Sequence, residues 1–101
     1  MPPDDRRRLL VTYDLSTADD ARLASIISIL KECDGWWHYV DCTWLVITDE
    51  TPDALTDKIK PYLQPADRLL IVTLPKRPEV QGWLPQKAWD WVHANINRGN
   101  I

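Results

Sequence analysis

The sequence has no phenylalanine, only three glycines and two cysteines among its 101 residues, and each scarcity removes a class of explanation. Gly35, Gly82 and Gly99 are too scattered for a phosphate-cradling loop, which needs several glycines in one short turn. Cys33 and Cys42 cannot build a disulfide framework, and no Cys-x-x-Cys or Cys/His spacing suggests zinc. They read as buried thiols of a reducing compartment. No apolar run approaches the ~18 residues that cross a bilayer. Met1-Pro2-Pro3-Asp4-Asp5 lacks the basic start and apolar core of a secretion signal, so a cytoplasmic protein without a membrane partner is expected. Basic charge is short as well. Twelve Lys and Arg against 15 Asp and Glu leave a net charge of −3, which argues against a wide polyanion-binding surface.

Six tryptophans are present instead, in two clusters. Trp36, Trp37 and Trp44 lie mid-chain; Trp83, Trp89 and Trp91 lie in the last stretch. An indole is a large flat apolar body with one N–H donor, suited to a core, a subunit interface or a stacking platform. Base stacking normally pairs such rings with a basic groove, and none is evident here. Core and interface packing is therefore the expected use, with Trp83, Trp89 and Trp91 at the interface of a homodimer, because a domain of this length exposes much of its surface.

The chain reads as a single domain with a core over about 7–74 and a Trp-rich extension over about 75–101. Leu9-Leu10-Val11-Thr12-Tyr13-Asp14 predicts a strand. Ser16 and Thr17 as N-caps, with Asp19 and Asp20 in the first turn, predict the start of a helix. Its stripe is Leu23, Ile26, Ile27 and Leu30, and Gly35 is expected to stop it in the left-handed conformation. Trp37 to Val40 and Trp44 to Thr48 predict two antiparallel strands joined near Asp41-Cys42-Thr43; the turn signal is weak, and one long bent strand is the alternative. Thr51-Pro52 opens a second helix, and Pro61 bends or ends it. Leu69 to Leu74 reads as the clearest buried strand. Pro75-Lys76-Arg77-Pro78 is a loop, and Pro85 begins a last helix on which Ala88, Trp91 and Val92 share one side. The order βαββαβ predicts an α+β ferredoxin-like sandwich with an added C-terminal helix, whose uncovered sheet face must meet water, a partner or added structure.

Few residues promise chemistry. Asp14, at the carboxyl end of the first strand, either bonds local backbone N–H groups or meets a ligand. Arg6, Arg7 and Arg8 form a basic run that is either a solvated flank or a nucleic-acid contact. His38 and His93 stand in no catalytic motif; His38 is expected on the strand face opposite Trp37 and Tyr39, and His93 at a polar helical position.

The strand end Val11-Thr12-Tyr13-Asp14, the segment Tyr39-Val40-Asp41-Cys42-Thr43-Trp44-Leu45-Val46 and the strand Asp67-Arg68-Leu69-Leu70-Ile71-Val72 resemble the small CRISPR-associated adaptation proteins. These are ferredoxin-like dimers that partner the CRISPR integrase and are described as metal-dependent nucleases. Trp36-Trp37-His38-Tyr39, Thr43-Trp44-Leu45-Val46 and Gly82-Trp83-Leu84-Pro85 look closer still to uncharacterised bacterial relatives often called SinR-like. The resemblance covers about Leu9 to Leu74. It implies a dimer in which Asp14 faces its symmetry mate as a catalytic acid and ligand of magnesium or another divalent cation. It also implies nucleic acid or an integrase-like protein as partner. The acidic balance and the Trp-rich tail depart from the family. A dimeric scaffold or binding component is therefore the leading expectation. A metal-dependent endonuclease centred on paired Asp14, and a stand-alone regulatory or toxin-type module without nuclease activity, are the alternatives.

Overall fold

A computed structural model describes residues 5–17 and 20–96. The expected tail at Met1–Asp5 lies outside them except for Asp5, as do Asp19 and Gly99. The element order is β1 (Arg7–Asp14), α1 (Asp20–Lys31), β2 (Gly35–Val40), β3 (Thr43–Thr48), α2 (Pro52–Ile59), a short 3-10 turn (Lys60–Tyr62), β4 (Arg68–Thr73) and α3 (Gln86–Asn95). The strands form one sheet in the order β2-β3-β1-β4, and every neighbouring pair is antiparallel. The architecture is α+β.

Side chains alternate across a strand, and here the alternation divides two cores. Leu9, Val11 and Tyr13 of β1 join Trp44 and Val46 of β3 beneath Ile26 and Leu30 of α1 and Leu55 and Ile59 of α2. At its centre Trp44 is fully buried and donates its indole N–H to the Tyr13 hydroxyl at 3.2 Å. His38 stacks on Trp44 at 4.1 Å between centroids, and Trp36 tilts against it at 5.5 Å. On the opposite face, Trp37 packs with Ala88, Val92 and Ile96 of α3 and its flank, aided by Leu45, Leu84, Trp89 and Trp91. Trp37 donates its indole N–H to the Ala88 carbonyl at 3.2 Å. Arg8 closes the other end of α3 by donating Nε–H to the Asn95 carbonyl at 2.9 Å, a cation where the helix dipole is negative.

Several local expectations hold. Thr51 Oγ1 accepts from Ala54 N–H at 3.1 Å, which caps α2, and α2 gives way to the 3-10 turn just before Pro61. His38 lies across the strand from Trp37 and Tyr39, whose rings meet at 5.5 Å.

Other expectations need correction. Gly35 is not a left-handed helix stop: it begins β2 with no positive φ. A Cβ there would stand 3.0 Å from Ile47 Cδ1, so the space beside Gly35 is taken by the Ile47 side chain. The last turn of α1 instead tightens through Glu32 N–H to Ile29 and Cys33 N–H to Leu30. The expected caps at Ser16 and Thr17 abut residues 18–19, which lie outside the described residues. Cys33 is half-buried and Cys42 is exposed, so neither is a fully buried thiol.

The β2–β3 hairpin turns at Asp41-Cys42, with Cys42 at φ 58°. A residue with a Cβ pays about 1–2 kcal/mol in that region, more than the ~0.5–1 kcal/mol of chain entropy that glycine adds. Cys42→Gly is therefore expected to stabilise the fold by up to about 1 kcal/mol, read as a higher urea midpoint; an unchanged or lower midpoint would show that the turn is not strained.

Candidate functional site

The uncovered part of the sheet lies over β1 and β4. In register, Leu10 pairs with Val72, Thr12 with Leu70, and Asp14 with Arg68. These residues sit on the face opposite α1 and α2. There α3 and its lead-in cover Trp37 and Leu45 of β2 and β3 and leave Leu70 57% and Val72 40% exposed. The run expected as the clearest buried strand is thus an edge strand with one bare side. Its Leu69 and Ile71 do pack on the main core.

Asp14 ends β1 exposed. Its carboxylate makes no hydrogen bond or ion pair with the other described residues, so it is not a local cap among them. Arg68 donates Nη1 to the carbonyls of Ala66 at 3.1 Å and Asp67 at 3.0 Å, along its own chain.

Next to this pair lies a buried latch that the sequence did not single out. The Asp67 side chain is fully buried. It accepts from Gln64 N–H at 2.7 Å, Ser16 N–H at 2.7 Å, Ser16 Oγ at 2.9 Å and Arg22 Nη1 at 2.6 Å. Arg22 also reaches the Tyr62 carbonyl at 2.9 Å and Thr17 Oγ1 at 3.2 Å. The latch ties the segment after β1 to the entry of β4, holding the backbone beside both Asp14 and Arg68. The Gln64 and Ser16 backbone N–H groups, aided by Arg22, hold the Asp67 carboxyl far below the usual carboxylate range against the opposing effect of burial.

A depressed carboxyl stabilises the fold fully above its unfolded pKa, and that contribution is lost as pH falls toward the folded value. Asp67→Asn is expected to lower the melting temperature at neutral pH. It should also flatten the acid-side fall in stability by up to about one proton between roughly pH 4 and pH 2. Urea melts across that range check it. An acid profile as steep as the wild type's would place the titrating group elsewhere.

The arginine run is held largely within the fold. Arg6 pairs with Asp34 at 3.5 Å, Arg7 donates Nη1 to the Asp49 carbonyl at 2.8 Å, and Arg8 donates Nη1 to the Arg6 carbonyl as well as Nε to Asn95. The tail tryptophans divide. Trp89 and Trp91 pack in the second core, whereas Trp83 is 99% exposed on the connection into α3. His93 is exposed on α3 with its ring stacked on Trp89 at 5.7 Å.

Elsewhere, a depression of about 230 Å³ between the end of α1, the end of β3 and α2 holds Glu32, Cys33, Asp34, Glu50 and Lys58. Burial, followed by the Glu50 charge, pushes the Cys33 thiol up, which disfavours the reactive thiolate. Burial likewise raises the Tyr13 phenol, opposed by its bond from Trp44. Among the described residues, no group of three or more His, Cys, Asp or Glu is arranged to hold a metal ion. No described helix is long and apolar enough to cross a membrane.

The fold is similar to that of a hypothetical protein, TT1823, from Thermus thermophilus. The match to that protein's crystal structure has a TM-score of 0.58 over 79% of this chain and 95% of that one, at 24% sequence identity. That likeness shows the fold alone. No family model matches the chain, and no curated protein matches it.

Proposed function

We propose that the chain is a dimeric scaffold or binding component like the CRISPR-associated adaptation proteins, acting in the cytoplasm beside nucleic acid or an integrase-like protein. A ferredoxin-like reading of the fold is supported by the strand order β2-β3-β1-β4 with α1 and α2 over one face and α3 added on the other. The observation that carries the proposal is the bare apolar strip of Leu70 and Val72 on an edge strand. Natural edge strands usually carry a charge, a proline or a bulge that blocks association; β4 has one charge, Arg68 at its start, and none of these from Leu69 to Thr73. The double variant Leu70→Lys/Val72→Lys is expected to reduce the light-scattering mass from two chains to one without changing the melting curve at low protein concentration. A two-chain mass in the variant would move the interface elsewhere.

A second reading, a metal-dependent phosphodiesterase, is favoured by the exposure of Asp14 at a strand end, where magnesium would activate water or steady a phosphate. The donor set fits that group poorly. Among the described residues Asp14 belongs to no group of three or more metal-ligating side chains, and an arginine occupies the paired position on β4. Magnesium-dependent cleavage of DNA or RNA is expected to stay at background. Robust cleavage that disappears in Asp14→Asn would install the enzyme reading in its place.

A further inference from the structure

The bare half of the second sheet face has an unusual arrangement of charge at its end. Leu70 and Val72 supply exposed apolar surface, and the half-buried Leu10 and Thr12 lie beside them. Asp14 and Arg68 follow as neighbours on adjacent strands. Directly paired residues of an antiparallel ladder stand about 5 Å apart at Cα and share a face, yet these two make no ion pair. Arg68 turns one nitrogen to the Ala66 and Asp67 carbonyls and retains further N–H donors, while Asp14 bonds none of the described residues. The buried latch at Asp67 fixes the backbone on either side.

We infer that this strip seats a second copy of the same chain, packed face to face about a two-fold axis, with Asp14 of each copy against Arg68 of the other. The inference rests on the dimeric reading above and adds its contact. A two-fold interface must be complementary to itself, and an apolar centre ending in an adjacent acid and base meets that condition. Rotation brings carboxylate to guanidinium twice. Bringing the two Asp14 carboxylates together would instead force like charges into contact as the surrounding apolar groups shed water. A nucleic-acid strand would meet the carboxylate and two aliphatic side chains with one arginine between them, which is a poor phosphate track.

The test is a charge-reversal cycle on the full chain, followed by sedimentation. Asp14→Arg and Arg68→Asp, each present twice per dimer, are expected to weaken dimerisation by about 100-fold. The D14R/R68D double variant should recover most of that loss while the monomer melting curves of all three variants stay alike; single variants that melt low, with melting restored in the double, would assign the pair to one chain and overturn the inference. Melting curves of the dissociated variants report whether the chain itself still folds. A double variant no tighter than the singles overturns the pairing. A wild-type dimer indifferent to both reversals overturns the inference alone and moves the interface elsewhere, for example to Trp83. A dimer that a chelator dissolves assigns Asp14 to a bridging cation instead. A wild type that stays monomeric removes the dimeric reading and the inference together.

Discussion

A chain ending at Leu74 is expected to aggregate or to melt far below the intact protein. The deletion removes α3 and its lead-in, which together cover Trp37 and Leu45 and supply Ala88, Val92 and Ile96 to the second core. Trp37 is 5% exposed in the intact fold and would lose the Ala88 carbonyl that accepts its indole N–H. Arg8 would lose the helix end that it closes. Each large apolar side chain returned to water costs about 1.5–3 kcal/mol. The loss of several therefore reaches on the order of 5 kcal/mol, comparable with the whole stability of many domains. A truncated chain with unchanged melting would show that α3 is an appendage and that Trp37 finds cover elsewhere.

The second large effect is expected at Trp44. Its ring fills the main core at 0% exposure between His38, Trp36 and the Tyr13 hydroxyl. Trp44→Ala opens a cavity that the strand backbone cannot close, with an expected cost of about 3–5 kcal/mol. Trp44→Phe keeps much of the packing but deprives the Tyr13 hydroxyl of its donor, which costs about 1–3 kcal/mol on that account. Urea unfolding of both variants should rank alanine well below phenylalanine. Equal losses would mean that the hydrogen bond, and not the ring volume, governs the site.

What could be read from the sequence was local. The stripe from Leu23 to Leu30, the Thr51-Pro52 cap and the break at Pro61 depend on neighbours within one or two turns, and each found its place. The final helix was legible for the same reason. Distant partners were not. Arg7 and Arg8 look like a solvated basic flank, but their acceptors are Asp49 and Asn95, far along the chain. Asp67 looked like the lead-in to a strand, and nothing nearby in sequence announces Ser16 or Arg22 as its partners.

The apolar run of β4 was misread for a related reason. A continuous stretch signals burial on both faces, whereas here Leu69 and Ile71 are covered within the chain and Leu70 and Val72 are left bare. That contrast itself points toward a partner. Cys42 offered no turn signal because its left-handed conformation is one that glycine or asparagine usually announces. Asp14 was legible as an acid at a strand end, while its exposure and its neighbour Arg68 emerge only from the structure.

In the proposed dimer the bare β1–β4 strip holds two chains together without a metal. Sedimentation of the wild-type protein over a dilution series, with and without a chelator, tests it most directly. The account predicts twice the mass of one chain at micromolar concentration, with dissociation on dilution at the same point in both series. A single-chain mass throughout, or a two-chain mass that collapses only when divalent cations are removed, would contradict it.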